Sequence, residues 1–157
     1  MKTCINKRNR FEIDLPEDWS GPGPLARLVG ADRHPEFYGP NRASVKFAIG
    51  PISPEPSVTQ QQGNLELIAY RHGHDVASVG SIVADGKEHA TIVTRVPLLQ
   101  PPSAAMGRPE HVIRPAPVML LKSYSLIFNG VEYLATSSID LFPEEVSDEI
   151  IGSFRRY

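Results

Sequence analysis

The chain has 157 residues, 41% of them apolar and 22% charged, which is the mix of an ordinary globular domain. Its formal net charge of −2 gives no overall attraction to nucleic acid or to an anionic membrane. Cys4 is the single cysteine, which excludes an intramolecular disulfide and a zinc site built on several cysteines. No apolar run reaches transmembrane length, so we predict no membrane insertion and a cytoplasmic location for the sequence as given; an export signal removed beforehand would leave no trace.

The first predicted strand runs from Arg10 to Pro16 and alternates apolar with acidic residues, as expected for a strand with one buried face. Trp19 follows it, and we place this side chain as a lid over the edge of the sheet. Glycine and proline dominate residues 20–43, which predicts a loop with one short helical turn from Leu25 to Val29. Alternation resumes over residues 44–49, which form the second predicted strand.

Ser57 and Gln60 have the spacing of a capping box, in which two side chains satisfy the free N–H groups at a helix start. The helix that follows should end near Gly73, because glycine adopts the left-handed conformation that closes many helices. Its apolar residues recur at intervals of three and four. The predicted buried stripe comprises Leu65, Ile68, Ala69 and His72.

Two hairpins are predicted from the two-residue turns Asp85-Gly86 and Asn129-Gly130, both of which favour type I′ geometry. Their strands are residues 76–83 with 88–96 and residues 118–128 with 131–139. Between the hairpins, residues 98–117 form a proline-rich insertion, and long segments of this kind are usually functional or disordered. We expect the two strands that flank the insertion to be neighbours in the sheet.

The last predicted helix begins at Pro143, and Arg155 and Arg156 would end it, where cations stabilise the carbonyl end of a helix. Its buried stripe comprises Val146, Ile150, Ile151 and Phe154. The resulting order is strand, loop, strand, helix, hairpin, insertion, hairpin, helix. This order predicts one α+β domain over residues 1–157, with a single antiparallel sheet flanked by helices in an α/β/α sandwich.

The predicted order resembles the Mog1/PsbP-like fold group, and within that group bacterial proteins of the DcrB and DUF1795 type. Three segments carry the resemblance: Phe11-Glu-Ile-Asp-Leu-Pro-Glu-Asp-Trp19, Gly80-Ser-Ile-Val-Ala-Asp-Gly-Lys-Glu-His-Ala90, and Tyr124-Ser-Leu-Ile-Phe-Asn-Gly-Val-Glu-Tyr-Leu134 with the helix after it. The insertion and the loop that follows Trp19 depart from the compact pattern. Because members bind very different partners and share no catalytic motif, the resemblance implies an architecture rather than a specific function.

The densest chemical cluster is Arg71-His72-Gly73-His74-Asp75, whose imidazoles and carboxylate are ligand types for zinc, copper or nickel. No third ligand lies at metalloprotein spacing, so we prefer a capped helix end with surface imidazoles and name no cofactor. Catalysis has little support, since the sequence contains no nucleophile elbow and no phosphate-binding glycine motif. Cys4 lies in a polar segment, residues 1–10, that we expect to be disordered.

Two sets of residues are candidates for contact with a partner. Trp19 and Tyr38 could line an aromatic groove, although packing as core and lid is the alternative we favour. The insertion offers side chains on a stiff, proline-rich backbone, namely Leu98, Leu99, Met106, His111, Val112 and Ile113. An insertion folded over its own sheet explains these residues equally well.

We therefore predict a non-catalytic accessory or adaptor protein that binds another protein through one sheet face or through the insertion. A homodimer is compatible with the same surfaces. DcrB and DUF1795-type proteins include chaperones or adaptors of secreted effectors, so the resemblance implies this as one form of the function. The alternatives are a carrier of a small molecule or lipid in a cavity between sheet and helices, and a metal-dependent enzyme at His72 and His74.

Overall fold

The computed structural model describes residues 1–23, 25–98 and 117–157. In these ranges the strands are β1 (Lys2–Asn6), β2 (Phe11–Leu15), β3 (Glu36–Tyr38), β4 (Ser44–Pro51), β5 (Asp75–Ala84), β6 (Lys87–Pro97), β7 (Val118–Phe128), β8 (Val131–Ser138) and β9 (Arg155–Arg156). The α-helices are α1 (Ala26–Val29), α2 (Val58–Arg71) and α3 (Glu144–Gly152), and a 3-10 turn spans Pro40–Arg42. No helix of this part of the chain is long and apolar enough to cross a membrane.

The strands form two antiparallel sheets, a larger one of order β3-β4-β8-β7-β6-β5 and a smaller one of order β1-β2-β9. Both predicted hairpins are present, and all four residues of their turns have positive φ, as type I′ geometry requires. β6 and β7 are neighbours, which confirms the prediction for the strands that flank the insertion. Their pairing continues to the base of the insertion, where the Leu98 N–H donates to the Pro117 carbonyl at 2.8 Å.

α2 covers part of one face of the larger sheet and begins at the predicted capping box. The Gln60 N–H donates to the Ser57 hydroxyl at 3.2 Å, and the Ser57 N–H donates to the Gln60 side chain at 2.9 Å. The predicted stripe is only half right, because Ile68 is 49% exposed and His72 is exposed. The residues of α2 that are buried are Gln61, Leu65 and Ala69.

The stripe of α2 is rotated toward Gln61 because this side chain has polar partners on the sheet below it. Its amide nitrogen lies 2.8 Å from the Ser125 hydroxyl and 2.8 Å from the Glu132 carboxylate. A buried amide with hydrogen-bond partners is tolerated in a core, so this helix can bury a polar residue in place of an apolar one.

The opposite face of the larger sheet carries the main core, which α3 and the smaller sheet cover together. Phe154, directly after α3, stacks on Phe11 of β2 and Phe128 of β7, with ring centres 4.9 and 5.8 Å away. Helices on both faces of the larger sheet confirm the α+β class and the α/β/α arrangement. The smaller sheet is an addition to it, so the prediction of a single sheet was wrong.

The smaller sheet forms from two segments that local patterns assigned differently. Residues 2–6, expected to be disordered, pair with β2 as β1. Arg155 and Arg156, expected to end a helix, pair with the other side of β2 as β9, while α3 ends earlier at Gly152. The Arg155 guanidinium forms ion pairs with Glu12 and Asp14, so it neutralises the acidic outer face of β2 instead of a helix terminus.

Candidate functional site

The most exposed apolar cluster of the described chain is on α1, inside the segment rich in glycine and proline. Leu25, the residue directly before α1, is 68% exposed. Leu28 and Val29 on α1 are 82% and 78% exposed, and no residue of α1 is buried. Gly30 ends the helix with a φ of 73°, a conformation that glycine adopts without steric cost. Single exposed apolar residues are ordinary, but three on one helical turn are typical of a contact surface.

An open cleft of about 660 Å³ separates α1 from the edge of the larger sheet. Leu25 and Val29 line one side of it and Tyr38 of β3 lines the other. Tyr38 is 50% exposed, and the neighbouring carboxylate of Glu36 raises the pKa of its hydroxyl. The phenol therefore stays protonated at neutral pH and offers an apolar ring and a hydroxyl at the rim of the cleft.

Trp19 supports this region from beneath instead of forming its surface. Its indole is 3% exposed and packs edge-to-face on Phe142 at 5.2 Å. The backbone of Gly39 passes so close that a Cβ there would lie 2.3 Å from the indole, which leaves room only for glycine. Ser20 and Tyr38 exchange two backbone hydrogen bonds of 2.8 Å, which fix β3, a strand that the sequence did not predict. Trp19 is therefore a core and lid residue and not part of an exposed aromatic groove.

Of the contact residues predicted in the insertion, the structure describes one, Leu98. Leu98 lies at the end of β6, is 44% exposed, and neighbours Val118, which is 54% exposed. The remaining predicted contact residues, Leu99, Met106, His111, Val112 and Ile113, lie outside the residues that the structure describes. The prediction for them stays untested.

The strand register places Tyr38 and the base of the insertion at the same end of the larger sheet. Tyr38 pairs with Ser44, the adjacent β4 residue pairs with Ser137, and Ser138 pairs with Leu121 near the start of β7. The same end of β7 is paired with the end of β6, from which the insertion departs. Tyr38 and the two strand ends that form the base of the insertion therefore lie at one end of the larger sheet.

Part of the sheet face next to Tyr38 is left open by the described residues. α2 packs mainly on β5 and β6, whereas Lys46 and Ala48 of β4 are exposed on the same face. Leu134 and Thr136 of β8, next to them, are only partly buried. The sheet face that we predicted as a binding surface is therefore covered by α2 over β5 and β6, and its open half lies over β4 and β8, between α2 and β3.

His72 and His74 lie together at the end of α2, with ring centres 5.8 Å apart. His72 is exposed, and the N–H of His74 donates to the carbonyl of Ala69 at 2.9 Å. Within residues 1–23, 25–98 and 117–157, no group of three or more His, Cys, Asp or Glu side chains could hold a metal ion. The pair therefore has no third ligand in this part of the chain.

A buried polar cluster that sequence reasoning missed joins α3 to β7. The Tyr124 hydroxyl lies 2.7 Å from both the Ser147 hydroxyl and the Asp148 carboxylate, and Lys122 forms ion pairs with Glu144 and Asp148 at 2.7 and 2.8 Å. Burial raises the pKa of Tyr124, so its phenol stays neutral. Tyr124 and Ser147 are fully buried, out of reach of a substrate, and the cluster serves to fix α3 on the sheet.

Comparison with known proteins gives a fold but no family. No family model matches the chain, and no curated protein matches its sequence. The solution structure of cyanobacterial PsbP (CyanoP) from Synechocystis sp. PCC 6803 matches with a TM-score of 0.58 at 14% identity, over 99% of this chain and 92% of that one. This chain has a PsbP-like fold.

A second solved structure agrees with this assignment. A crystal structure from Bacteroides thetaiotaomicron matches with a TM-score of 0.57 at 10% identity, over 99% of this chain and 48% of the other. Identities this low show the fold alone, since one fold hosts many functions. The predicted PsbP-like architecture is confirmed, and the resemblance to DcrB and DUF1795-type proteins stays a prediction.

Proposed function

We propose that this protein is a non-catalytic accessory module that binds another protein, with α1 and Tyr38 as its contact surface. The observation that carries the proposal is that Leu25, Leu28 and Val29 are exposed on a turn that buries no side chain. A helix of four residues has no stability of its own in water, so packing against something must stabilise it. Since the described fold offers α1 little packing, a partner is the best candidate to supply it.

The composition of the surface defines the partner's chemistry. Its centre is apolar, with the Tyr38 ring beside it. Glu36 of β3 and Lys46 of β4, which are opposite each other in the strand register, lie at the rim. An apolar and aromatic centre with a charged rim is the usual anatomy of a protein contact. We therefore expect a partner with an apolar ridge or helix face that can enter the cleft between α1 and Tyr38.

Affinity capture from the native cell, with paired variants of the protein as bait, tests this proposal. Leu28→Glu places a charge at the centre of the surface, and Leu67→Glu makes the same change at a half-exposed site on α2. Both sites are exposed, so each change should alter the free energy of unfolding by less than about 0.5 kcal/mol. We expect the wild type and Leu67→Glu to retain the same partner and Leu28→Glu to lose it.

Equal retention by both variants would contradict the role of α1 and point to the insertion or to the open half of the sheet face. A further arm measures the molar mass of the purified protein by light scattering. If the wild type is a dimer and Leu28→Glu a monomer, the partner is a second copy of this chain.

The carrier alternative has one observation in its favour. The cleft beside α1 lies within the roughly 300–1,000 Å³ range of small-molecule sites, although it lies between α1 and the sheet edge and not in a cavity between the sheet face and the helices that cover it. A fatty acid or apolar dye that binds with one-to-one stoichiometry, and is lost in Val29→Asp but not in Leu67→Asp, would favour this function.

A further inference from the structure

A second cleft, of about 980 Å³, lies between α1 and the hairpin of β1 and β2. Its charged lining consists of Lys7, Arg8 and Arg27 against the single carboxylate of Asp32. Three cations and one anion give a local charge of +2, opposite in sign to the net charge of −2 of the whole chain. A concave surface of one sign concentrates ligands of the opposite sign, so the cleft favours anions.

Side-chain amides fix the shape of this cleft. Asn6, buried at the end of β1, donates to the Asp32 carbonyl at 3.0 Å and accepts the Asn9 N–H at 2.8 Å. Asn9 in turn donates to the same carbonyl at 2.9 Å. The Arg8 guanidinium is held by the Asp32 carboxylate at 3.1 Å. The hairpin and the segment after α1 are thereby joined, so this part of the cleft and the Arg8 guanidinium are in position before a ligand arrives.

The cleft also has an apolar part. Ile5 is 56% exposed on the wall, and the buried ring of Phe37 lies beneath the backbone of Gly21. A Cβ at Gly21 would lie 3.3 Å from that ring. Glycine therefore allows the loop to pack closely against Phe37, which leaves the space of the cleft above it free. A ligand in this cleft would therefore meet cations together with an apolar surface.

We propose that this cleft binds a phosphate-bearing ligand with an apolar body. Lys7 and Arg27 form no ion pair within the described residues, so their charges are available to phosphate oxygens. Pro22 has no N–H to donate, so recognition depends on side chains and not on a backbone cradle of the kind that glycine-rich loops provide. A soluble phosphomonoester and a phospholipid headgroup share this chemistry. The proposal does not depend on the protein-binding function.

Titration calorimetry with phenyl phosphate, inorganic phosphate and vesicles of phosphatidylcholine with and without phosphatidic acid tests this proposal. The test variant is Lys7→Gln/Arg27→Gln. The matched control is Arg71→Gln/Arg95→Gln, which removes two exposed cations from α2 and β6. We expect phenyl phosphate to bind at one site and the test variant to bind at least about tenfold more weakly, because charge-assisted hydrogen bonds are lost. The control variant should stay within about twofold of the wild type.

Amide chemical shifts recorded during the same titrations locate the site, and circular dichroism checks that both variants fold. Shifts centred on Cys4, Asn6 and Gly21 that vanish in the test variant support the cleft. Binding only to phosphatidic acid vesicles, with the same loss, supports a lipid headgroup as the source of the phosphate. The proposal is overturned if no probe binds, if both variants weaken binding equally, or if the shifts lie elsewhere.

Discussion

The two faces of the larger sheet are packed by different means. Toward α3 the buried side chains are large and aromatic, and five rings contact one another: Phe11, Phe47, Phe128, Tyr133 and Phe154. Toward α2 the core is small and contains Leu65, Ala69, Ala90 and Ile92, with the amide of Gln61 beside it. One face thus depends on the area of buried rings and the other on a few aliphatic contacts and hydrogen bonds.

The face toward α3 therefore carries most of the buried packing of the fold, and the face toward α2 leaves surface available for function. The aromatic face holds three elements that are distant in sequence, so a loss there should affect the whole molecule. The α2 face is only half covered by the described residues and leads to Tyr38 and α1. The free energies of unfolding of matched variants can test this division.

The largest effect is expected from Phe154→Ala. Phe154 is 1% exposed and contacts four aromatic rings, so its removal leaves a cavity that rigid neighbours cannot fill. We expect the free energy of unfolding to fall by about 3–5 kcal/mol, measured by urea denaturation. A loss below about 1 kcal/mol would contradict the docking of this residue. The same experiment tests the proposal that residues 1–157 form one domain, which requires a single cooperative transition.

A smaller loss is expected from Leu65→Ala on the other face. Leu65 is 6% exposed but belongs to a small cluster that can relax toward the open half of the sheet. We expect the free energy of unfolding to fall by about 2 kcal/mol, at the lower end of the range for replacing a buried leucine by alanine. Leu67→Ala, at a position 48% exposed on the same helix, is the control and should change stability by less than about 0.5 kcal/mol. A loss for Leu65→Ala that equals the loss for Phe154→Ala would remove the distinction between the two faces.

The capping box at the start of α2 should contribute less to the free energy of unfolding than Leu65 does. Ser57→Ala removes the hydroxyl that accepts the Gln60 N–H and should cost about 1 kcal/mol. Ser57→Asp keeps an acceptor at that position and adds a negative charge where the helix dipole favours it, so stability should return. Thermal unfolding of the three proteins gives the comparison, and an unchanged midpoint for Ser57→Ala would show that the cap is not needed.

The smallest effect concerns pH and His89, which lies on the aromatic face of the larger sheet. His89 is buried, its Nδ1 accepts the Ile127 N–H at 3.1 Å, and burial lowers its pKa below 6.5. The unfolded chain therefore takes up a proton near pH 6.5 while the folded protein resists it, so stability is lost as the pH falls below 6.5. His89→Gln retains an acceptor without a charge.

Chemical denaturation of the wild type and of His89→Gln at pH 7.5 and 5.5 isolates this contribution from that of other titrating groups. We expect the wild type to lose more stability than the variant over this interval. An equal loss in both would show that His89 takes up its proton equally well in the folded state.

The sequence predicted elements wherever local chemistry determined them. The alternation in β2, both type I′ turns and the capping box were found because each depends on residues near one another in sequence. The adjacency of β6 and β7 was found because two consecutive hairpins imply one antiparallel sheet. β1 and β9 were missed because their pairing with β2 supplies the stability that their polar sequences lack. β3 was missed because proline and glycine on both sides indicated a loop.

The candidate site was predicted in part. The helical turn near Leu25 and the role of Tyr38 as a candidate contact were identified, and Tyr38 is exposed. The exposure of Leu28 was not predictable, because an apolar residue does not reveal whether another element covers it. The cationic cleft was missed for a related reason, since Lys7 and Arg27 are distant in sequence and only the fold brings them together.

The pairing of β2 with β9 has a consequence for biosynthesis. Glu12 and Arg155 are 143 residues apart, and Phe154 completes the ring cluster that begins at Phe11. While the ribosome is still elongating the nascent chain, β2 has only β1 as a partner, and its inward-facing side chains stay without their final cover. Contacts this distant in sequence slow folding and prolong the exposure of apolar surface. We therefore expect the nascent chain to depend on a chaperone until Phe154 and β9 leave the exit tunnel.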